Sequence, residues 1–157
     1  MSFELREHTA DVAVEAIAPD LSTLFGAVAN GLAAASCDEI PATTSAERYD
    51  VDVAAESLEA LLFDYLDQLI YERDVRSVLP VDNRVQVRNV AGEHGEVTDN
   101  ADGETDGAAV VEWRLSGTYR GIPLATLDAR EVKAVTYSEM RVEETKAGWV
   151  GYVVFDV

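Results

Sequence analysis

The chain has 157 residues, 48% of them apolar, and a formal charge of −18 at pH 7. That length can close one hydrophobic core without staples. The single cysteine, Cys37, excludes an internal disulfide and a cysteine-built zinc site, no run approaches the roughly 20 apolar residues of a membrane helix, and the charge disfavours non-specific binding to nucleic-acid phosphates or an anionic membrane.

The opening "MSFELREHTADV" has no basic start followed by an apolar block, so no secretory signal is expected and a cytoplasmic protein is. The first clear strand is Val12 to Ile17, paired with the opening "FELRE". Pro19-Asp20 breaks it, and Asp20 is placed to cap a helix. Leu21, Leu24, Phe25, Val28, Leu32 and Ala35 follow at helical spacing. Cys37, in "LAAASCD", reads as a small buried thiol rather than a nucleophile. "ERYDVDVAA" alternates as a half-buried strand. Ser57 caps a second helix bearing Leu58, Leu61, Leu62, Tyr65, Leu66, Leu69 and Ile70, expected to end near Arg73.

Val75 to Leu79 and Val85 to Val90 read as two further strands. Residues 91–107 hold six acids, four glycines and no basic residue, the composition of a flexible acidic hairpin insertion. Val110 to Tyr119 resumes the alternation. A loop over 121–130, a strand "EVKAVTY" running towards "MRVEE", a turn at Lys146-Ala147-Gly148 and a terminal strand complete the chain. The expected fold is α+β and a single domain over 1–157, two helices packed on a largely antiparallel sheet of roughly seven strands.

The manner of the acidity is as informative as its size. Two lysines, Lys133 and Lys146, stand against ten arginines, and acids occur in every segment. This pattern suits a cytoplasm of very high salt, where a Debye length of about 3 Å screens self-repulsion. A patch made for a basic partner is the alternative.

Few residues carry chemistry. His94 falls in the insertion. His8 opens "HTAD", which reads either as a turn or as a site with Asp11 at a strand mouth. Lys133 is retained inside an apolar strand, where its compact charge would suit a phosphate or carboxylate pocket. In the last strand Val150, Tyr152, Val154 and Asp156 share one face, so Asp156 closes an otherwise uncharged row. With the main-chain oxygens and terminal carboxylate of Val157 it offers hard oxygen ligands, and Asp11 is the natural second acid. Such a set suits Ca²⁺, Mg²⁺ or Mn²⁺.

"HTADVAV", "LLFDYLDQLIYERD", "EVKAVTY" and the final "VVFDV", in this order from Glu7 to the last residue, resemble the archease family. The resemblance implies a small cytoplasmic activator of an RtcB-type RNA ligase in tRNA splicing, promoting the ligase's guanylylation and multiple turnover without being an enzyme itself. It implies a metal site at Asp11, Asp156 and Val157, with Ca²⁺ as first choice, and functional roles for Lys133 and His8. Two departures stand out. Ser138 follows "VKAVTY" where the family commonly has histidine, and "TLDARE" lacks an upstream histidine, leaving Asp128 as a substitute. The competing readings are a metal-dependent phosphate-ester hydrolase using the same aspartates and an acidic protein-interaction module.

Overall fold

The computed structural model describes residues 11–41, 46–90 and 112–157. His8, His94, the opening "FELRE" and the 91–107 segment lie outside them. In chain order the elements are β1 (Asp11–Ala18), α1 (Leu21–Ser36), β2 (Glu47–Ala55), α2 (Leu58–Arg76), β3 (Val78–Asn89), β4 (Trp113–Pro123), β5 (Ala134–Thr145) and β6 (Gly148–Asp156). The six strands form two antiparallel sheets, ordered β1-β6-β5 and β2-β4-β3. The fold is thus α+β, as expected, with the strands divided between two sheets.

Both helices start where the sequence places their caps. The Thr23 amide donates to Asp20 Oδ1 at 2.8 Å, and the Ala60 amide to Ser57 Oγ at 3.1 Å. α2 runs one turn beyond Arg73, to Arg76, because Ser77 supplies the left-handed stop at φ 57°. Glu59 in its first turn and Arg73 and Arg76 in its last complement the helix dipole. The expected strand at Val75 therefore begins only at Val78. It then continues as one strand through a bulge between Val81 and Arg84, where Asp82 takes φ 50°. Two expected strands are one bent strand, and the described residues hold six strands.

Each helix touches both sheets: α1 packs on β1, β6 and β3, and α2 on β5, β2, β3 and β4. Leu24, Phe25 and Val28 of α1 and Leu61, Leu62, Tyr65 and Leu66 of α2 are fully buried between them. Each large side chain so placed contributes roughly 1.5–3 kcal/mol relative to exposure. A close approach of backbones fixes Gly117 in β4, where a Cβ would lie 2.3 Å from the Arg84 carbonyl oxygen. No helix among the described residues is long and apolar enough to cross a membrane.

Candidate functional site

β6 is the central strand of its sheet, and its inner face (Gly151, Val153, Phe155) is buried against the helices. Period two therefore turns Val150, Tyr152, Val154 and Asp156 outward. Register does the rest. Asp156 pairs directly with Asp11 on β1 and with Ala134 on β5. Residues paired across antiparallel strands project to the same face, with Cβ atoms about 4.5–5.5 Å apart. The two carboxylates singled out from opposite ends of the chain are neighbours on one sheet face.

Lys133 joins them through its main chain: its amide donates to the Asp156 carbonyl oxygen at 2.7 Å, extending the ladder one residue beyond β5. Its side chain is exposed. The adjacent row is tied by Thr136, whose hydroxyl donates to the Val154 carbonyl at 3.1 Å. Val157 follows Asp156 directly and is half-buried against the core. Four of the five residues expected at the site are thus contiguous, and the fifth, His8, lies outside the described residues.

The donor chemistry fits a hard cation. Two like charges directly opposed across strands destabilise a sheet, and oxygen-only donors on an exposed face are what Ca²⁺, Mg²⁺ or Mn²⁺ accept. Among the described residues no third histidine, cysteine, aspartate or glutamate completes a cluster with the pair. Asp128 lies beside Cys37, Asp38 and Glu39, past the end of α1, lining the same cleft. Ser138 is exposed, within the irregular stretch of β5 between Thr136 and Arg141.

One contributor escapes a pattern reading. Arg73 is buried, yet it continues the apolar stripe of α2, four residues after Leu69 and seven after Leu66. Its Nη1 donates to the Val132 carbonyl at 2.7 Å, and its Nε and Nη2 donate to Asp74 Oδ1 at 3.0 and 2.9 Å. A paired guanidinium thereby holds the residue immediately before Lys133. The available signal was a charged residue at a core position of the stripe.

The match to a family model settles the relationship. The description "Archease protein family (MTH1598/TM1083)" fits residues 3–157. The chain belongs to the archease family. Among curated archeases it is 32% identical over 162 residues to that of Thermococcus gammatolerans, covering 99% of this chain and 98% of the relative. It is 28% identical over 159 residues to that of Pyrococcus furiosus (99% and 98% covered) and 29% over 158 residues to that of Archaeoglobus fulgidus (100% of both). The fold is shared with the solution structure of protein 1598 from Methanobacterium thermoautotrophicum, at TM-score 0.65 and 20% identity over 99% of this chain and 96% of the other. It is also shared with the crystal structure of an archease from Thermotoga maritima, described as a possible chaperone, at TM-score 0.60 and 20% identity, covering 100% and 98%. The archease match spans the "HTAD" and "VVFDV" ends together, the segments that register sets side by side.

Proposed function

We propose that this archease-family chain is a cytoplasmic, non-enzymatic accessory protein that activates an RtcB-type RNA ligase in tRNA splicing, promoting its guanylylation and multiple turnover. The observation that carries the reading is the Asp11–Asp156 pairing with the Lys133 main chain bonded to Asp156. Asp11 and Asp156 would hold a divalent cation, Ca²⁺ in preference to Mg²⁺ or Mn²⁺, with Val157 contributing main-chain oxygen. A bound cation would supply charge neutralisation at this face. Lys133, whose main chain bonds Asp156 and whose side chain is exposed, would supply an ammonium suited to a phosphate or carboxylate on the ligase. Arg73 acts through Val132 as a positioning residue, keeping the start of β5 in register.

The test uses Asp156→Asn and Asp11→Asn. Either removes one of two facing charges while nearly preserving shape, so each variant should melt at or slightly above the wild-type temperature without added metal. Ca²⁺ should raise the wild-type melting temperature and leave both variants unmoved. A ligation time course with limiting ligase should show multiple turnover with the wild type and near-stoichiometric product with the variants or with Lys133→Ala. Equal metal response and equal turnover in all four proteins would overturn the assignment.

A further inference from the structure

The second sheet carries an opposite charge pattern. The outward residues of β2 are Arg48, Asp50, Asp52 and Ala54, and those of β4 are Arg114, Ser116, Thr118 and Arg120. β3 adds Arg84, Gln86 and Arg88, with Asp82 at the bulge. Five of the chain's ten arginines share this one face, together with Asp50, Asp52 and Asp82, and Glu112 flanks it beside Arg114. Register opposes Arg48 to Arg120 and Arg88 to Arg114 directly across strands. Like charges so placed destabilise a sheet. In a chain where acids outnumber basic residues 30 to 12, two such pairs on one face run against composition.

The arginines form two poles. At one, Arg48, Arg84 and Arg120 converge on a single carboxylate, Asp82 Oδ2, at 2.5, 3.1 and 2.8 Å. Arg48 Nη1 also donates to Thr118 Oγ1 at 2.6 Å. Three guanidinium groups around one aspartate leave a local excess of positive charge, held in fixed orientation. At the other pole Arg88 and Arg114 are exposed, and Arg114 lies 3.7 Å from Glu112. Six residues separate Arg114 from Arg120, about 20 Å at 3.4 Å per residue. Between the poles lie Ser116, Thr118 and Gln86, neutral hydrogen-bonding groups, with Asp50 and Asp52 confined to the β2 edge.

We propose that the outer face of the β2-β4-β3 sheet binds the phosphate backbone of a nucleic-acid duplex. Guanidinium forks match phosphate oxygens in pairs, and two poles about 20 Å apart span a repeating polyanion rather than one small anion. No outward residue on this face is aromatic, so it lacks the base-stacking platform of single-strand binders. The global charge of −18 argues against nucleic acid at long range; this face is the local exception. It shares no residue with the Asp11–Asp156 pair, so it stands or falls separately from the metal reading.

Fluorescence anisotropy of a labelled RNA duplex, read across a KCl series, tests the proposal. Counterion release favours low salt, but the repulsion from −18 charges fades only as the Debye length drops from about 10 Å at 0.1 M to about 3 Å at 1 M. The wild type should therefore bind best at an intermediate concentration. There, Arg84→Gln with Arg114→Gln should weaken binding about tenfold or more, and on the falling limb at higher salt the slope should be shallower by about 2. These two side chains are 69% and 51% exposed, so the fold should survive, which thermal unfolding checks, and Arg114→Gln alone serves if it does not. Arg141→Gln with Lys146→Gln, on the other sheet and its turn, produces the same net charge and should change affinity less than twofold. Absence of binding at every salt, or equal losses in the two double variants, would overturn the proposal. So would polyglutamate binding as tightly as RNA, which would reassign the face to an acidic protein.

Discussion

Glu72 sits where α2 meets the β2-β4-β3 sheet, and its removal has a calculable cost. Its carboxylate accepts from the Tyr119 hydroxyl at 2.5 Å, from Arg76 Nε at 2.8 Å and from Gln68 Nε2 at 2.9 Å. Tyr119 is wholly buried, and only 12% of the Glu72 side chain is exposed. Burial pulls the Glu72 carboxyl upward, but the hydrogen bonds from Tyr119, Arg76 and Gln68 outweigh it and hold it below its ordinary value of 4.5. A buried hydroxyl bonded to a charged acceptor contributes about 1.5–3 kcal/mol. The Arg76 pair adds only about 0.3–0.5 kcal/mol, because its guanidinium is 41% exposed. Glu72→Gln, which keeps a weaker acceptor, should therefore lose about 2 kcal/mol, or roughly 4–8 °C in melting temperature for a chain of this size. Because the folded carboxyl is depressed, this stability is fully present above the unfolded value and is lost as pH falls through the folded one. Urea unfolding of the wild type, Glu72→Gln, Tyr119→Phe and the double variant isolates the pair. The coupling should be present at neutral pH and should shrink as pH falls below the ordinary glutamate value and through the lower folded one. A neutral-pH coupling under about 0.5 kcal/mol would refute the reasoning.

Tyr65 presents the opposite case: it is fully buried in α2 and its hydroxyl has no hydrogen-bond partner among the described residues. Tyr65→Phe should stabilise the fold by about 1 kcal/mol, since an unsatisfied buried hydroxyl costs about 1–3 kcal/mol; a destabilised variant by urea unfolding would show that the hydroxyl is satisfied in solution. The dispersed acidity predicts a melting temperature that climbs from dilute buffer to molar KCl, as screening removes self-repulsion and salt strengthens apolar burial. A melting temperature flat across that range would exclude the high-salt reading and return the acidic-patch alternative.

What the sequence disclosed and what it withheld divide along physical lines. Asp20 and Ser57 were legible as caps because an N-cap is a local event, decided within three residues. The apolar stripes of α1 and α2 were legible for the same reason. The division into two sheets was not, because strand order is set by long-range pairing that period two cannot distinguish. Nor was the bulge at Asp82, which fuses two expected strands and depends on contacts from another element: the Asn83 amide donates to Asn30 Oδ1 of α1 at 3.0 Å. Arg73 was hidden by its type, since a charged residue near a helix end is ordinarily solvated. Asp156 stood out because it broke an uncharged row, but only register shows that its neighbour is Asp11.

Register also supplies a common logic for the two exposed sheet faces. Antiparallel pairing gives each sheet an inexpensive way to relieve charge, by setting acids opposite arginines. With twelve basic residues and thirty acids this chain could have done so almost anywhere. Instead Asp11 faces Asp156 on one sheet, and Arg48 faces Arg120 while Arg88 faces Arg114 on the other. Opposed like charges cost a few tenths of a kcal/mol to about 1 kcal/mol per pair, offset in part at the arginines by Asp82 beside Arg48 and Arg120 and by Glu112 beside Arg114. A counter-charge from outside the chain would reverse that sign in both places, a cation at the aspartates and a polyanion at the arginines. The two faces then make opposite demands on salt. High ionic strength relieves the domain as a whole but also competes for the arginine face, so Asp11→Asn should leave RNA affinity untouched, and Arg114→Gln should leave the Ca²⁺-induced rise in melting temperature untouched. Crossed effects in that pair of measurements would mean that the two faces respond only to net charge, and that neither is a site.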